Sequence, residues 1–143
     1  MSSSARATYR FGMAWIGLTL VLAVHVADEA LTGFLAVYNP TVQAIRRLLP
    51  FLPLPVFTFK LWLRLLVAAV CVLLALSVFC FRGARWMVPL AYVFGVTMLV
   101  NGLAHLAGTV YLRRGVPGVY SSPLLLGAAI YLLSRARSFR ATW

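Results

Sequence analysis

The chain has 143 residues, of which 63% are hydrophobic and 10% charged, and its formal net charge is +11. A water-soluble domain of this size would need far more polar surface, so the composition excludes that class and favours an all-α polytopic membrane protein. The arginines lie between apolar runs and in the C-terminal tail. This distribution indicates anchoring of helix ends and attraction to membrane lipid headgroups, and it argues against nucleic-acid binding.

The apolar runs predict about four transmembrane helices in one compact bundle, at roughly 20 residues per span. Residues 1–10 are small and polar, and we expect them to be frayed. The predicted spans cover residues 11–37, 56–81, 86–111 and 119–133, followed by a basic tail that runs to Trp143. No second domain fits beside this bundle, so residues 1–143 are expected to form a single integral membrane domain.

Asn39–Pro40 is expected to end the first span, because proline disfavours a continuing helix. Within the connection over residues 41–56, the apolar residues recur at helical spacing, with Arg46 and Arg47 on the opposite side. This pattern predicts a short interfacial helix between the first two spans, with an irregular loop as the alternative. The arginines also favour an orientation in the cell membrane with both termini cytoplasmic.

Asp28 and Glu29 are the only two acidic residues of the chain, and His25 is one of only two histidines. All three lie in the first apolar run, where ionisable groups are costly and usually serve a function. Residues at i, i+3 and i+4 share one face of a helix, so these three side chains should project together. By the same rule, Asn101 and His105 share a face of the third span.

The remaining polar residues are expected to reach the same end of the bundle. The first and third spans run in one direction and carry their polar residues past the midpoint. The second and fourth run in the opposite direction, with Lys60 and Arg64 near the start of the second and Ser121 near the start of the fourth. The predicted convergence does not depend on which way the protein is inserted.

Two imidazoles with one or two carboxylates are common ligands of zinc, and also of iron(II) or manganese. We therefore predict a divalent metal site, with zinc favoured and iron or manganese as alternatives. Its predicted ligands are His25, Glu29 and His105, with Asp28 as a fourth ligand or a general base. Asn101 would be a weak ligand or would position His105 or a water molecule.

Two roles stay open for the basic pair of the second span. Lys60 and Arg64 could bind an anionic group of the substrate, or they could simply pair with Asp28 and Glu29 in a structural charge network. Ser121 could cap the fourth helix or donate a hydrogen bond into the site, where it would also contact substrate.

Three motifs together resemble the signatures of the HXXEE family of small integral membrane proteins. They are His25-x-x-Asp28-Glu29, Asn101-x-x-x-His105 and Pro117–Gly118-x-x-Ser121, in the family's order and approximate spacing over residues 11–135. Asp28 stands where the family has its first glutamate, Ser121 stands where it has threonine, and the tyrosine that opens the third motif is absent. The resemblance implies a membrane protein with a polar site, and it implies no particular reaction.

These features lead us to expect an intramembrane metalloenzyme that performs hydrolytic or acid–base chemistry on a hydrophobic, lipid-like small molecule. Glu29, Asp28 and Asn101 would carry the catalytic steps. One alternative is a metal-free isomerase or cyclase that uses the same histidines and carboxylates. Another is a proton-coupled transporter or binding protein, which would need to be a homo-oligomer because four short-looped spans leave little room for alternating access.

Overall fold

The computed structural model describes residues 2–142, apart from the side chain of Ser3. Met1 of the polar start and Trp143 of the basic tail lie outside the described residues. The described residues form five helices and no strand, which confirms the all-α prediction. The helices are α1 (Ser3–Thr32), α2 (Phe34–Leu48), α3 (Phe59–Phe81), α4 (Met87–Leu112) and α5 (Ser122–Arg140).

Helix α1 runs antiparallel to α3 and α5, and α4 also runs antiparallel to α5. At one end of the bundle, Phe11 of α1 stacks on Phe139 of α5 with ring centroids 5.1 Å apart. At the other end, His25 of α1 meets Ser121, the residue before α5. The start of α1, the end of α3, the start of α4 and the end of α5 therefore lie together, and the polar motifs lie at the opposite end.

Helix α5 occupies the centre of the bundle and packs against both α1 and α4. Its buried apolar residues recur every three or four positions: Leu125, Ala129, Leu132, Ala136 and Phe139. This spacing produces one apolar stripe along the helix. On α4, Gly95 and Gly102 lie against leucines of α5, where an added Cβ would approach within 3 Å. Small residues of this kind let two helix backbones come close in a membrane bundle.

Helix α3 lies at the edge of the bundle, and its main partner is α1. Only Trp62, Ser77 and Cys80 of this helix are buried. Its many exposed apolar side chains suit a lipid-facing surface, because hydrocarbon gives no reason to bury them. The indole Nε1 of Trp15 donates a hydrogen bond of 2.8 Å to the carbonyl of Leu73, which joins α1 to α3 inside the bundle.

Within residues 2–142, three helices, not clearly four, are long and apolar enough to cross a membrane: Ser4–Thr32, Phe59–Phe81 and Met87–Leu112. The predicted fourth span over residues 119–133 is not supported as such, since α5 begins only at Ser122 and carries three arginines in its last turns. Its apolar part extends for about 16 Å at 1.5 Å per residue, well short of a roughly 30 Å hydrocarbon layer. Helix α5 is instead stabilised by its protein neighbours.

The first helix differs from the predicted first span at both ends. The helix begins at Ser3 rather than Phe11, because the Ser2 side chain accepts a hydrogen bond from the backbone N–H of Ala5 and caps it. It ends at Thr32, because Gly33 adopts a left-handed conformation with φ of +79°. A new helix then starts at Phe34 and continues through Pro40. The predicted short helix between the first two spans is thus real and longer than expected, and its position on the membrane surface stays a prediction.

Candidate functional site

The side chains of His25, Glu29 and His105 meet at one point between α1 and α4. One nitrogen or oxygen of each lies within 4.8 Å of the others, and all three residues are buried. The Glu29 Oε1 atom is 3.1 Å from Nε2 of His105 and 3.6 Å from Nε2 of His25. In a tetrahedral site with bonds of about 2.0 to 2.1 Å, neighbouring ligand atoms would be about 3.3 Å apart. The two distances from Glu29 are close to this value, so the cluster could hold a metal ion.

Asp28 lies beside this cluster and has a different partner. Its Oδ2 atom accepts hydrogen bonds from the backbone N–H of Ser121 at 2.9 Å and from the Ser121 hydroxyl at 2.7 Å. We had predicted Asp28 as a fourth ligand or a general base, and the structure instead places its carboxylate at the entry to α5. A carboxylate at a helix N-terminus interacts favourably with the exposed N–H groups and the helix dipole.

Ser121 connects Asp28 to His25. The Ser121 Oγ atom lies 2.8 Å from Nδ1 of His25. With the hydroxyl proton of Ser121 directed to the carboxylate of Asp28, its oxygen can accept a hydrogen bond from Nδ1–H of the imidazole. This arrangement leaves Nε2 of His25 unprotonated and facing the cluster, which is the tautomer that a metal ligand needs.

Asn101 contacts the same ring from α4. Its Nδ2 atom lies 3.1 Å from Nε2 of His25, where the amide can donate to the free lone pair. We had considered Asn101 as a partner of His105, and the structure gives it His25 instead. Hydrogen bonds thus link the side chains of Asn101, His25, Ser121 and Asp28 in that order, and they join α4, α1 and the start of α5.

Gly118 lies directly against the cluster. Its φ is +84°, a conformation that favours glycine, in the turn that leads into α5. A Cβ atom at this position would be 2.8 Å from Cε1 of His105 and 3.1 Å from Cγ of Glu29. Only glycine therefore allows this turn to approach the site so closely. The Gly118 carbonyl also accepts a 2.7 Å hydrogen bond from the Ser122 hydroxyl.

An apolar cavity of about 380 Å³ opens next to His105. It lies between α2, α4 and the turn before α5, and its walls include Phe34, Tyr38, Asn101, His105 and Pro117. The volume falls in the lower part of the range for small-molecule pockets. A few polar groups on a mostly apolar wall suit a hydrophobic ligand with one polar functional group.

Helix α2 forms one wall of this cavity, which the sequence did not predict. Phe34 stacks on Trp62 of α3 at 5.7 Å between ring centroids and lies 6.0 Å from the ring of His105. The Asn39 side chain donates to the carbonyl of Phe57 and accepts from its N–H, at 2.9 and 3.1 Å. This double hydrogen bond attaches α2 to the segment before α3. The available signal was the Phe34–Tyr38 pair at i, i+4 in an amphipathic stretch.

Lys60 and Arg64 do not join the site. Both are exposed on α3, and in the described part of the chain Asp28 and Glu29 form no ion pair with either. Trp62 faces the bundle in their place. Positions two apart on a helix point about 200° away from each other, so a buried Trp62 turns Lys60 and Arg64 outward. The structure therefore supports neither the predicted substrate contact nor the predicted charge network for this pair.

The sequence profile of a family described as "protein of unknown function with HXXEE motif" matches residues 15–132. The chain belongs to the HXXEE family. This confirms the resemblance inferred from the three motifs, and all three motifs lie within the matched range. In this HXXEE protein, the first and second motifs supply the buried cluster, and the third supplies the turn that closes it. Neither the curated proteins nor the solved structures include a match to the chain.

Replacing Ser121 with alanine should weaken any metal binding at the cluster. Alanine removes the hydroxyl that contacts both His25 and Asp28, and leaves Asp28 only the backbone N–H bond. Loss of such outer-shell partners typically costs 10-fold to 100-fold in metal affinity. Ser121→Thr keeps the hydroxyl and should retain wild-type affinity. Competition titration of zinc against a chromogenic chelator measures both variants, and equal affinities for alanine and threonine would contradict the assigned role.

Proposed function

We propose that this protein is an intramembrane enzyme in which His25, Glu29 and His105 hold a divalent metal ion, with zinc favoured. The observation that carries the proposal is the meeting of three buried donor atoms from α1 and α4 beside an apolar cavity. A divalent metal in such a set supplies Lewis acidity that polarises a carbonyl or lowers the pKa of water.

The charge of the site supports a bound cation. Glu29 is only 5% exposed, and the only cationic partners within 4.0 Å among the described residues are the two histidines. A buried carboxylate without a cation is strongly unfavourable. A bound metal ion would supply the positive charge that this carboxylate lacks.

The other polar groups have supporting roles in this proposal. Asp28 and Ser121 fix the orientation and tautomer of His25. Asn101 donates to Nε2 of His25, so ion binding requires this amide to give up that hydrogen bond. The released amide would then be available to hold the polar group of a substrate bound in the neighbouring cavity.

The cavity suits a hydrophobic small molecule that arrives from the membrane. Its wall carries His105 and Asn101 among apolar and aromatic side chains. We therefore propose hydrolytic or acid–base chemistry on a lipid-like compound whose carbonyl or ester group reaches His105. Lys60 and Arg64 play no part in this binding, because both face away from the bundle.

Metal-free acid–base catalysis is the second candidate function. Hydrogen bonds from Asn101 to His25, to Ser121 and on to Asp28 give each of these side chains a partner without an ion. Glu29 and His105, at 3.1 Å, would then form a proton-transfer pair for an isomerisation or cyclisation. Proton-coupled transport, the third hypothesis, has no specific support from these contacts.

Elemental analysis of the purified protein separates the first two functions. The protein should be prepared with a tag that lacks histidine and without chelator. We expect close to one metal ion per chain, and we expect His105→Ala to lose it, while Arg114→Gln, a change in the exposed turn after α4, should keep it. A wild-type preparation that takes up no zinc, iron or manganese after reconstitution would exclude the metalloenzyme and favour the metal-free function.

A further inference from the structure

A second cavity, of about 280 Å³, lies at the end of the bundle opposite the candidate site. It is lined by Arg6 and Arg10 of α1 together with Arg135 and Ser138 of α5. Helices α1 and α5 thus contribute three guanidinium groups to the lining of this cavity. Guanidinium groups in such an arrangement are well suited to phosphate oxygens, which they bind through charge-assisted, bidentate hydrogen bonds.

No acidic side chain of the protein can neutralise this cluster. Asp28 and Glu29, the only acidic residues, lie in α1 at least 18 positions beyond Arg10. At 1.5 Å per residue this is a separation of about 27 Å, more than three Debye lengths of about 8 Å at physiological salt. The repulsion among Arg6, Arg10 and Arg135 is relieved most directly by an anion.

Arg135, one of the residues that line this cavity, has an unused hydrogen-bond donor. Its Nε atom is buried and has no hydrogen-bond partner within the described part of the chain. The guanidinium lies over the ring of Tyr131, with 4.9 Å between its central carbon and the ring centroid. This contact holds the group in place, because a cation is attracted to the face of an aromatic ring. A buried donor without a partner is costly unless a ligand supplies the acceptor.

We propose that this cavity binds a phosphate-bearing anion through Arg6, Arg10 and Arg135, with Ser138 as a further hydrogen-bond donor. The site is separate from the histidine–carboxylate cluster and does not depend on the proposed function. The same phosphate chemistry is offered by the headgroup of an anionic lipid and by free phosphate. A lipid headgroup fits the position, since basic residues next to apolar helices lie at the depth of the lipid phosphates.

Thermal unfolding of the detergent-solubilised protein tests the proposal. The ligands are dioctanoyl phosphatidylglycerol, inorganic phosphate, and dioctanoylglycerol, which has the same acyl chains without phosphate. We expect saturable stabilisation by phosphatidylglycerol and none by dioctanoylglycerol. Inorganic phosphate would be identified as the ligand if it stabilises the protein as much as phosphatidylglycerol does and more than chloride does at the same ionic strength. No stabilisation by either phosphate compound would overturn the proposal.

The roles of the arginines are tested by comparing, among variants, the phosphatidylglycerol concentration that gives half-maximal stabilisation. Arg135→Gln should raise that concentration at least about tenfold, since it removes a charge-assisted contact. Arg6→Gln gives a second variant, whose exposed position leaves the interior packing unchanged. Arg114→Gln, at the opposite end of the bundle, is the matched control and should behave as wild type. If Arg6→Gln and Arg114→Gln have the same half-saturating concentration, the anion is not bound in this cavity.

Discussion

Replacing Gly118 with alanine is expected to destabilise the protein strongly and to disrupt the His25–Glu29–His105 cluster. At φ of +84°, a side chain other than hydrogen costs about 1 to 2 kcal/mol. The new Cβ would also lie 2.8 Å from His105 and 3.1 Å from Glu29, so both side chains must move. Such overpacking typically costs about 1 to 3 kcal/mol more. The expected loss in free energy of unfolding is therefore about 2 to 5 kcal/mol.

Gly33→Ala is the matched control for this experiment. Gly33 has nearly the same φ, +79°, but an added Cβ there would meet no atom within 4 Å. The Gly33→Ala substitution should lower the free energy of unfolding only by the backbone strain, about 1 to 2 kcal/mol. Equilibrium unfolding in detergent measures both variants, and metal analysis shows whether the cluster survives. Equal destabilisation by the two substitutions would mean that Gly118 does not support the cluster.

Glu29→Gln and Asp28→Asn should differ sharply in their effect on metal affinity. Each removes one negative charge and keeps the size of the side chain. Glu29 faces both histidines, so the glutamine variant loses a ligand. Structural zinc sites with four protein ligands bind with about 10 to 16 kcal/mol, or about 2.5 to 4 kcal/mol per ligand, so this loss should weaken binding by about 70-fold or more. Asp28 acts through Ser121 and His25, so its loss should cost about tenfold.

Competition titration with zinc measures this difference, with Arg114→Gln as the control for a distant change of charge. A larger loss of zinc affinity in Asp28→Asn than in Glu29→Gln would reverse the assigned roles. It would place Asp28 among the ligands, as the sequence had allowed, and would require its carboxylate to leave Ser121. Equal and small losses would indicate that neither carboxylate binds the ion.

The sequence predicted the shared site because helix geometry and chain direction are simple constraints. His25 and Glu29 are four residues apart in a helix, so they had to share a face. His105 could be placed beside them once the spans alternate in direction. The same reasoning brought Ser121 to the correct end of the bundle. It could not identify the partner of Ser121, because a hydrogen bond of this kind depends on the exact turn that Gly118 makes.

The sequence was less informative where the apolar pattern is uniform. Helix α3 is hydrophobic on all sides, so periodicity does not show which face meets α1, and the exposed positions of Lys60 and Arg64 could not be inferred. Helix α2 was misjudged because Pro40 is tolerated within it and Gly33 ends the preceding helix. In both places, tertiary packing overrides the local preference. Helix α5 shows the same effect, since its central position compensates for its short apolar part.

X-ray absorption at the zinc edge of the reconstituted protein tests the central claim most directly. The account predicts a first shell of nitrogen and oxygen at about 2.0 to 2.1 Å, with the outer scattering of two imidazole rings. Sulfur should be absent from this shell, because Cys71 is exposed on α3 and Cys80 is not part of the cluster. A spectrum without imidazole scattering, or a sulfur ligand, would contradict a metal site built from His25, Glu29 and His105.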